Sequence, residues 1–368
     1  MKRGERNLAR LVEMVQGMRR LLILPHDHPD PDALASGLVL RHILRHLTKV
    51  DVTLGYDGMV GRTENRAMVD LLRIPLVPVS KLDLDSFDAV ALVDTQPQVG
   101  NNPLPPALVP SIVIDHHPPR RASRDAPFCD LRPDHGATAT IMFDYLQSSE
   151  LPLQPRYATG LFYAIRSETQ NLGREATGAD VRAFTALFPR VDNSIISRIE
   201  HAPISRQYLA LLNGAFDRTR IYGEVSITML DRMPYPDVPA ELADLLLRVD
   251  EVTTSLVGGV YQGELYLSMR LQANRSGAAR LLSQIVGDWG RAGGHSTMAG
   301  GKIDLRGRGL DGDKVRRTLA QRAREALGVD KIRPRPLIHP PRNCAGRSGS
   351  GPKEAGRKAS AEKRKGKG

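Results

Sequence analysis

This chain of 368 residues has few cysteines and no long apolar runs. Cys129 and Cys344, its two cysteines, are far apart and lack the spacing of a zinc site, which argues against a disulfide framework. No segment approaches the ~18 consecutive apolar residues of a membrane-spanning helix. The first twenty residues are charged throughout and lack the apolar stretch of a secretory signal. These features predict a cytoplasmic protein that does not associate with membranes.

The chain also lacks an excess of one charge outside its last 38 residues. The formal net charge is +11, but residues 331–368 hold twelve Lys or Arg against two Glu, which leaves +1 for the rest. This basic segment is rich in Gly, Ser, Ala and Lys, a composition that predicts a disordered tail. Two interpretations stay open for it. The tail is either a weak electrostatic tether for a polyanion or a solubilising end.

Strands and helices are predicted to alternate in the first half of the chain. Short apolar runs predict buried strands at 20–25, 51–56, 87–94 and 111–117. Apolar residues at helical spacing predict helices at 7–18, 33–47, 137–149 and 156–168. This alternation is typical of βαβ units, so we expect an α/β fold with an N-terminal parallel sheet covered by helices on both faces.

A second, smaller α/β domain is predicted after a loosely patterned, partly helical linker. Strand-like alternation returns in "IYGEVSITML" and "GELYLSMRL", and helical patterns cover 240–252, 277–290 and 313–327. The predicted organisation is an N-terminal domain at 1–190, a linker at 191–208, a C-terminal domain at 209–330 and the basic tail at 331–368. We expect the two domains to face each other across a cleft.

One short stretch, "HDHPDPD" at residues 26–32, holds two histidines and three aspartates directly after an apolar run. Proline and aspartate suit a solvated turn between a strand and a helix. Carboxylates at this density repel one another, and burying them without a partner is costly, which favours a metal site instead. The stretch alone supports either interpretation.

Three further acidic or histidine clusters decide between them. Asp94 ends one predicted strand, "IDHH" (114–117) ends another, and Glu168 ends a predicted helix. Ligands bind outside the carboxyl ends of strands in an open parallel sheet, so these groups are expected to converge at one edge. Carboxylates and imidazoles in one place indicate cations between them, and this mixture favours Mn²⁺, Zn²⁺ or Fe²⁺ over Ca²⁺.

The motifs "HDHPDPDALAS", "VDT", "VIDHHP" and "RAGGHSTMAGGKI", in this order, resemble the signature motifs of the DHH phosphoesterase superfamily. The resemblance covers residues 21–302. It is closest to the branch with a DHH-associated C-terminal domain, which includes nanoRNase-type oligonucleotidases, 3′-phosphoadenosine phosphatases and cyclic-dinucleotide phosphodiesterases. RecJ-type exonucleases and family II pyrophosphatases are more distant. The resemblance implies a catalytic DHH domain followed by a substrate-binding domain.

By this resemblance, two divalent cations bind at the strand ends, Mn²⁺ first and Mg²⁺ as the alternative. The ligands implied for one cation are His26, Asp30 and Asp94, and those for the other are Asp32, Asp94, His116 and Glu168. His28 and Asp27 do not fit the motif. Glu168 stands where the family usually has Asp. Because its side chain is longer, the position of the second cation and the choice of metal at that position are open.

The resemblance also implies roles in catalysis and in substrate binding. His117 would face the phosphate, Asp115 would orient a histidine, and Asp94 would bridge the cations. In the C-terminal domain, the glycine-rich loop with Gly293, Gly294 and His295, together with Arg270, would hold the far end of a nucleotide; Arg275 is a poorer candidate. We take the catalytic residues to be His117, Asp94 and Asp115.

Three functions stay open. The first is a metal-dependent phosphodiesterase that degrades short single-stranded oligonucleotides from an end, with two-metal activation of water; a nearly neutral body suits short substrates. The second is a phosphatase acting on 3′-phosphoadenosine 5′-phosphate or a cyclic-dinucleotide hydrolase. The third is a nucleic-acid-binding protein with a degenerate site. A homodimer is an additional expectation.

Overall fold

The computed structural model describes residues 3–272, 275–294 and 296–338. No helix among them combines the length and the apolar character that a membrane span requires. The helices are α1 (Arg3–Val15), α2 (Pro31–Leu47), α3 (Thr63–Leu71), α4 (Thr138–Ser148), α5 (Pro155–Glu168), α6 (Gly178–Leu187), α7 (Asn193–Glu200), α8 (Arg206–Arg218), α9 (Val238–Leu246), α10 (Ala278–Val286) and α11 (Gly312–Ala326).

The strands fall into two sheets. Those of the first sheet are β1 (Arg20–Leu24), β2 (Asp51–Tyr56), β3 (Leu76–Pro78), β4 (Ala89–Val93), β5 (Ile112–Asp115) and β6 (Phe128–Leu131). Those of the second are β7 (Arg220–Tyr222), β8 (Val225–Arg232), β9 (Thr254–Tyr261), β10 (Glu264–Leu271), β11 (Arg291–Gly294), β12 (Met298–Asp304) and β13 (Arg335–Pro336). Short 3-10 turns occur at Val79–Lys81, Leu84–Ser86, Arg121–Asp125, Phe188–Arg190 and Gly287–Trp289.

The first sheet is parallel throughout, in the order β3-β2-β1-β4-β5-β6. The strand order reverses between β1 and β4. At such a point the connections leave in opposite directions, and a crevice opens outside the carboxyl ends of the strands. The fold therefore places the segments after β1 and β4 side by side.

Strand β1 is buried on both faces, as expected for a central parallel strand. Leu21 and Ile23 point into the apolar cluster that the helices α1–α7 build, whereas Leu22 and Leu24 point into a second cluster on the opposite face. The residues that cover this second face come from short 3-10 turns and loops, so the covering elements here are single turns rather than α-helices.

The second sheet has the order β11-β12-β10-β9-β8-β7-β13 and is antiparallel except for the pair β8 and β9. Helices α10 and α11 contribute to the apolar cluster on one face, and α8 and α9 to the cluster on the other. One parallel sheet with flanking helices and one mixed sheet confirm the predicted α/β fold with two parts.

The linker and the tail differ in detail from the sequence prediction. Helix α7 lies inside the predicted linker and packs on α3 and α5, so the irregular connection between the two parts shortens to residues 201–205. The tail was expected to be disordered from residue 331. Instead, β13 pairs with β7, and Arg335 forms a 2.8 Å ion pair with Glu251. The rest of the predicted tail lies outside the described residues.

Candidate metal centre and substrate cleft

The predicted site residues of the first sheet meet where the strand order reverses. His26 follows β1 by two residues, Asp94 follows β4 directly, and Asp115 ends β5 with His116 and His117 next to it. Two groups of side chains offer ligand atoms within 4.8 Å of one another. These groups are His26, Asp30 and Asp94, and Asp94, Asp115, His116 and His117. The structure therefore brings these six predicted residues together, whereas Asp32 belongs to neither group.

Asp94 occupies the centre of the site. Its Oδ2 lies 3.7 Å from His26 Nε2, and its Oδ1 lies 3.7 Å from His116 Nε2 and 3.9 Å from His117 Nδ1. Burial and the charge of Asp30 raise the pKa of Asp94 to about 7. Its backbone has φ of 60°, a conformation unfavourable for residues other than glycine. Strain of this kind concentrates at functional sites.

His26 and Asp30 complete the first group of ligands. Nδ1 of His26 lies 2.8 Å from the Asp27 carbonyl oxygen, which can only accept, so Nδ1 donates and Nε2 faces the carboxylates. Burial opposes a charge on His26, but Asp30 and Asp94 raise its pKa well above the usual range. A divalent cation would have to displace that proton.

Asp30 is held by the start of helix α2. Its Oδ1 accepts hydrogen bonds from the backbone N–H groups of Asp32 and Ala33, at 2.9 and 3.0 Å, as an N-cap residue does. Burial would raise its pKa, yet the charge of His26 and the Ala33 N–H hold the pKa below its ordinary value. Pro31 then fits the first helical position. Asp30 therefore both caps the helix that follows the predicted turn and is a predicted metal ligand.

His117 and Asp115 form a close pair. His117 Nδ1 lies 2.8 Å from Asp115 Oδ1, and the carboxylate raises the pKa of His117 to about 9 although burial alone would lower it. The same contact lowers the pKa of Asp115 to about 2 despite its burial. Gln96 Nε2 donates to the other oxygen of Asp115 at 2.8 Å. His117 is therefore a cationic donor with a fixed orientation.

His116 has the opposite character. Burial and the neighbouring charge of His117 lower its pKa to about 4, so its imidazole is neutral at pH 7. Its Nδ1 lies 3.2 Å from the carbonyl oxygen of His135, which fixes Nδ1 as the donor. Nε2 then faces Asp94 with a lone pair. A neutral imidazole oriented by a carbonyl is the usual arrangement of a metal-binding histidine.

Asp32 is buried against the N-terminus of helix α4. Its two oxygens accept hydrogen bonds from the backbone N–H groups of Thr138 and Ala139, both at 2.7 Å. Burial and the charges of Asp94 and Glu168 raise its pKa well above the usual range. Oδ1 also accepts from the Ser36 hydroxyl at 3.5 Å, so Oδ2, which accepts from the Thr138 N–H, is the oxygen with which Asp32 would contact a cation.

Glu168 is the last residue of helix α5, is half-buried and lines the cleft that opens over the site. Its charge acts on both Asp32 and His117. The structure thus places Glu168 beside the predicted second cation position without bringing it into either compact group of ligands.

Sequence reasoning missed two residues that hold the site together. The Thr138 hydroxyl donates to Asp94 Oδ1 at 2.8 Å while its N–H binds Asp32, so one residue positions both carboxylates. Gln96, almost fully buried, accepts from the Arg120 N–H and the Ser123 hydroxyl through Oε1. Neither role has a local sequence signal, since the partners lie far away along the chain.

The donor set fits divalent cations. The separations between the Nε2 atoms of His26 and His116 and the nearest oxygens of Asp30 and Asp94 are 3.6–3.7 Å, beyond ordinary hydrogen bonds. Two atoms bonded at 2.0–2.2 Å to one cation lie at most about 4.4 Å apart, so these separations suit shared coordination. Carboxylates with two imidazoles favour Mn²⁺ or Zn²⁺ over Ca²⁺.

A cleft of about 1420 Å³ opens over Asp94 and extends to the second sheet. The predicted substrate residues Arg270, Gly293 and Gly294 line it, together with Glu168. The glycine-rich segment was expected to be a loop, but it forms most of the β11–β12 hairpin. His295, the remaining prediction there, lies outside the described residues.

Arg270 is oriented by two neighbours. Its Nε lies 2.8 Å from Asp244 Oδ1, and its Nη1 donates to the Ser268 hydroxyl at 2.8 Å. Arg275 instead forms an ion pair with Glu224 and does not line the cleft. The structure therefore brings Arg270 to the cleft, as the sequence predicts.

Parts of this chain are similar to known proteins. Residues 20–165 match the DHH family, N-terminal domain. An uncharacterized protein of Methanocaldococcus jannaschii is 34% identical over 288 residues, which cover 77% of this chain and 58% of that protein. A probable manganese-dependent inorganic pyrophosphatase of Staphylococcus aureus is 24% identical over 152 residues, which cover 41% of this chain and 48% of that protein. The chain spans about half the length of these curated relatives.

Among solved structures, an exopolyphosphatase-related protein from Bacteroides fragilis has a similar fold. The TM-score is 0.68 at 14% sequence identity, and the match covers 89% of this chain and 98% of that one. The similarity of fold therefore extends over both sheets.

Proposed function

We propose that this chain, which belongs to the DHH phosphoesterase superfamily, is a metal-dependent phosphodiesterase that hydrolyses short oligonucleotides or other small nucleotide phosphoesters. The observation that carries the proposal is the position of Asp94, buried between His26 and His116 under an open cleft. The manganese dependence in the name of the Staphylococcus aureus relative supports Mn²⁺ as the cofactor.

The ligands divide between two cation positions around Asp94. His26, Asp30 and Asp94 would hold one cation, and Asp94, His116, Asp32 and Glu168 the other. When bound, two such cations supply a hydroxide at neutral pH and stabilise the attacking and leaving oxygens of an in-line displacement at phosphorus. The positive charge also neutralises carboxylates that would otherwise repel one another.

His117 acts on the substrate. Its raised pKa keeps the imidazole protonated at pH 7, and its side chain, 40% exposed, lines the cleft. Nδ1 is held by Asp115, so Nε2–H would be the donor to a phosphate oxygen. Asp115 and Gln96 are positioning residues that fix this direction.

The cleft suits a short substrate. Its volume of about 1420 Å³ is only somewhat larger than the ~300–1,000 Å³ of ordinary small-molecule pockets, which fits a short substrate better than a long single strand. Arg270 reaches this space from the second sheet. We therefore place the scissile phosphate at the strand ends of the first sheet and the remainder of the nucleotide against the second.

A turnover panel with Mn²⁺ tests the proposal. It compares a dinucleotide, a longer single strand, 3′-phosphoadenosine 5′-phosphate, a cyclic dinucleotide and inorganic pyrophosphate. We expect the dinucleotide to be hydrolysed fastest, with mononucleotides as products. Preference for the bisphosphorylated adenosine or the cyclic dinucleotide would move the activity to the corresponding alternative. Binding without turnover of any compound would indicate a degenerate site and overturn the proposal.

A further inference from the structure

Four arginines of the cleft lining have no carboxylate partner among the residues that the structure describes. Arg120, Arg121, Arg291 and Arg308 make no ion pair within the described part of the chain. Two other cations of the same cleft are neutralised, since Arg270 pairs with Asp244 and Lys302 pairs with Glu264, each at 2.8 Å. Uncompensated positive charge in a concave space attracts anions.

The only tryptophan of the chain lies beside two of these arginines. Trp289 ends the 3-10 turn Gly287–Trp289, is half-buried and lines the cleft. The guanidinium of Arg322, on α11, packs 4.2 Å from the ring centroid and supports the ring. Arg308 lies alongside, because its Nη1 donates to the carbonyl oxygen of Asp288 at 2.9 Å. A supported aromatic ring at a cationic cleft is a stacking surface for a base.

A short series of contacts connects this corner to the metal centre. Arg291 reaches across the cleft to the first sheet, where a methyl group added at Gly100 would lie 2.6 Å from its Nη1. The next residue, Asn101, accepts a 2.6 Å hydrogen bond from the backbone N–H of Asp27, the neighbour of His26. Arg291, two residues after Trp289, therefore connects the tryptophan corner to the loop that contacts the segment of His26.

We propose that Trp289, Arg291 and Arg308 form a subsite for a nucleoside phosphate, with the base stacked on Trp289 and the phosphate held by the two guanidinium groups. The inference rests on the proposed function and specifies its substrate class. The substrate carries a base and at least one phosphate in addition to the one that is hydrolysed. Base-free phosphates, including inorganic pyrophosphate, would miss the stacking surface.

Because Trp289 is the only tryptophan, intrinsic fluorescence reports on this corner of the molecule. The full-length protein in EDTA is titrated with a 5′-phosphorylated dinucleotide, the same dinucleotide without the 5′-phosphate, and tripolyphosphate. We expect saturable quenching by both dinucleotides, with about tenfold tighter binding of the phosphorylated one, as an added charge-assisted contact would give. Tripolyphosphate should quench little. Absence of quenching by both dinucleotides, or equal quenching by tripolyphosphate, would overturn the subsite.

A pair of variants separates the subsite from general charge. Arg308→Ala should lose most of the tenfold preference for the 5′-phosphate. Arg306→Ala is the matched control, because Arg306 lies two residues away, packs against Gly263 and does not line the cleft. It should keep the preference. The same loss in both variants would show that only overall charge matters and would contradict the assignment.

The two proposals fail in different ways. Quenching in EDTA requires no cation and no hydrolysis, so it tests the subsite alone. If quenching follows the predicted order but Mn²⁺ brings no turnover, then the subsite stands and the proposed hydrolysis is wrong. If turnover occurs without quenching, then the hydrolysis stands and the substrate lies elsewhere in the cleft.

Discussion

The first half of the molecule contains two clusters of buried carboxylates, and they differ in what neutralises them. Around Asp130, Arg132 Nη2 lies 2.8 Å from Oδ2, Arg3 Nη2 lies 2.9 Å from Oδ1, and the Tyr145 hydroxyl donates at 2.8 Å. Burial alone would raise the pKa of Asp130, but Arg132 lowers it. This cluster is a closed ion-pair network.

Around Asp94, no lysine or arginine of the described residues lies within ion-pair distance. The nearest basic groups are three imidazoles at 3.7–3.9 Å, of which that of His116 is neutral at pH 7, and the pKa of Asp94 is raised to about 7 rather than lowered. A buried carboxylate that lacks a permanent counter-charge is unfavourable on its own. The comparison teaches that one cluster holds the fold together, whereas the other is built for charge supplied from outside.

The largest effect is expected from Asp94→Asn. In the proposed assignment Asp94 is shared by both cations, so its loss would remove several kcal/mol of transition-state stabilisation and turnover with Mn²⁺ should fall by at least about a thousandfold. The fold should persist, and the melting temperature in EDTA should stay equal or rise, because a repelling charge is gone. Initial rates on a dinucleotide and thermal melts measure both. Asp27→Asn, next to a ligand but outside the set, is the control and should stay active. Near-normal activity of Asp94→Asn would contradict the two-cation assignment.

Asp130→Asn should show the reverse pattern. It leaves the buried guanidinium of Arg132 without its main partner, a change that typically costs about 3–5 kcal/mol of unfolding free energy. Urea denaturation measures the cost, and activity under stabilising conditions should be retained because Asp130 lies outside the cleft lining. A cost below about 1 kcal/mol would remove the distinction between the two clusters.

Glu168→Gln tests whether the carboxylate of Glu168 helps to hold the second cation. An amide oxygen lacks the charge that helps hold the metal, so turnover at limiting Mn²⁺ should fall about tenfold to a hundredfold and recover with excess Mn²⁺. Glu168→Asp, the usual family residue, retracts the carboxylate by ~1.5 Å and should keep more activity or be rescued at lower Mn²⁺. An unaffected Glu168→Gln at limiting metal would place the ligand elsewhere.

Thr138→Val tests a residue that positions ligands without binding metal itself. The change keeps the side-chain shape but removes the hydroxyl that donates to Asp94, so Mn²⁺ affinity should fall about tenfold. Thr138→Ser should restore it. The matched control is Thr140→Val, whose hydroxyl donates to Asp180 instead and whose loss should lower stability but not Mn²⁺ affinity. Calorimetric titration with Mn²⁺ provides the measurement, and equal affinities in all variants would contradict the role.

The parts of the fold that the sequence predicts are those with strong local patterns. Strands β1, β2, β4 and β5 have short apolar runs that the surrounding turns delimit. Strand β6 is interrupted by Asp130, and β9 contains Gly258 and Gly259, so both depend on pairing with their neighbours. The sequence of the β11–β12 hairpin resembles that of a loop because it is rich in glycine. Its glycines allow close approach, since a methyl group at Gly294 would collide with the Met298 carbonyl.

The site divides in the same way. Its ligands lie in short motifs at strand ends, which makes them predictable. The residues that position these ligands do not lie in such motifs. The hydroxyl of Thr138 contacts Asp94, 44 residues away along the chain, and the amide of Gln96 contacts Asp115, 19 residues away. The ion pair of Arg132 with Asp130 resembles any other charged surface pair in the sequence. Only the burial of both side chains distinguishes it.

The smallest expected effect is the pH dependence of the metal-free protein between pH 7 and 9. The folded protein binds more protons than the unfolded chain in this range, because the pKa of Asp94 is raised to about 7 and that of His117 to about 9. A group whose pKa is higher in the folded state than in the unfolded chain stabilises the folded state at pH values below that pKa. This stabilisation is lost as the pH rises through the folded-state pKa. The unfolding free energy in EDTA should therefore decrease from pH 7 to pH 9.

We expect a loss on the order of 1 kcal/mol, because solvent screens part of the effect at His117, whose side chain is 40% exposed. Below pH 7 the trend should weaken, since His116, with a pKa lowered to about 4, favours the folded state as the pH rises there. Saturating Mn²⁺ should abolish or reverse the decrease, because bound cations replace the protons that the site otherwise retains. Urea denaturation at pH 7, 8 and 9 with EDTA or Mn²⁺ measures these slopes. An identical decrease under both conditions would mean that the cluster around Asp94 takes up no cation, and it would then differ from the Asp130 cluster only in its pKa.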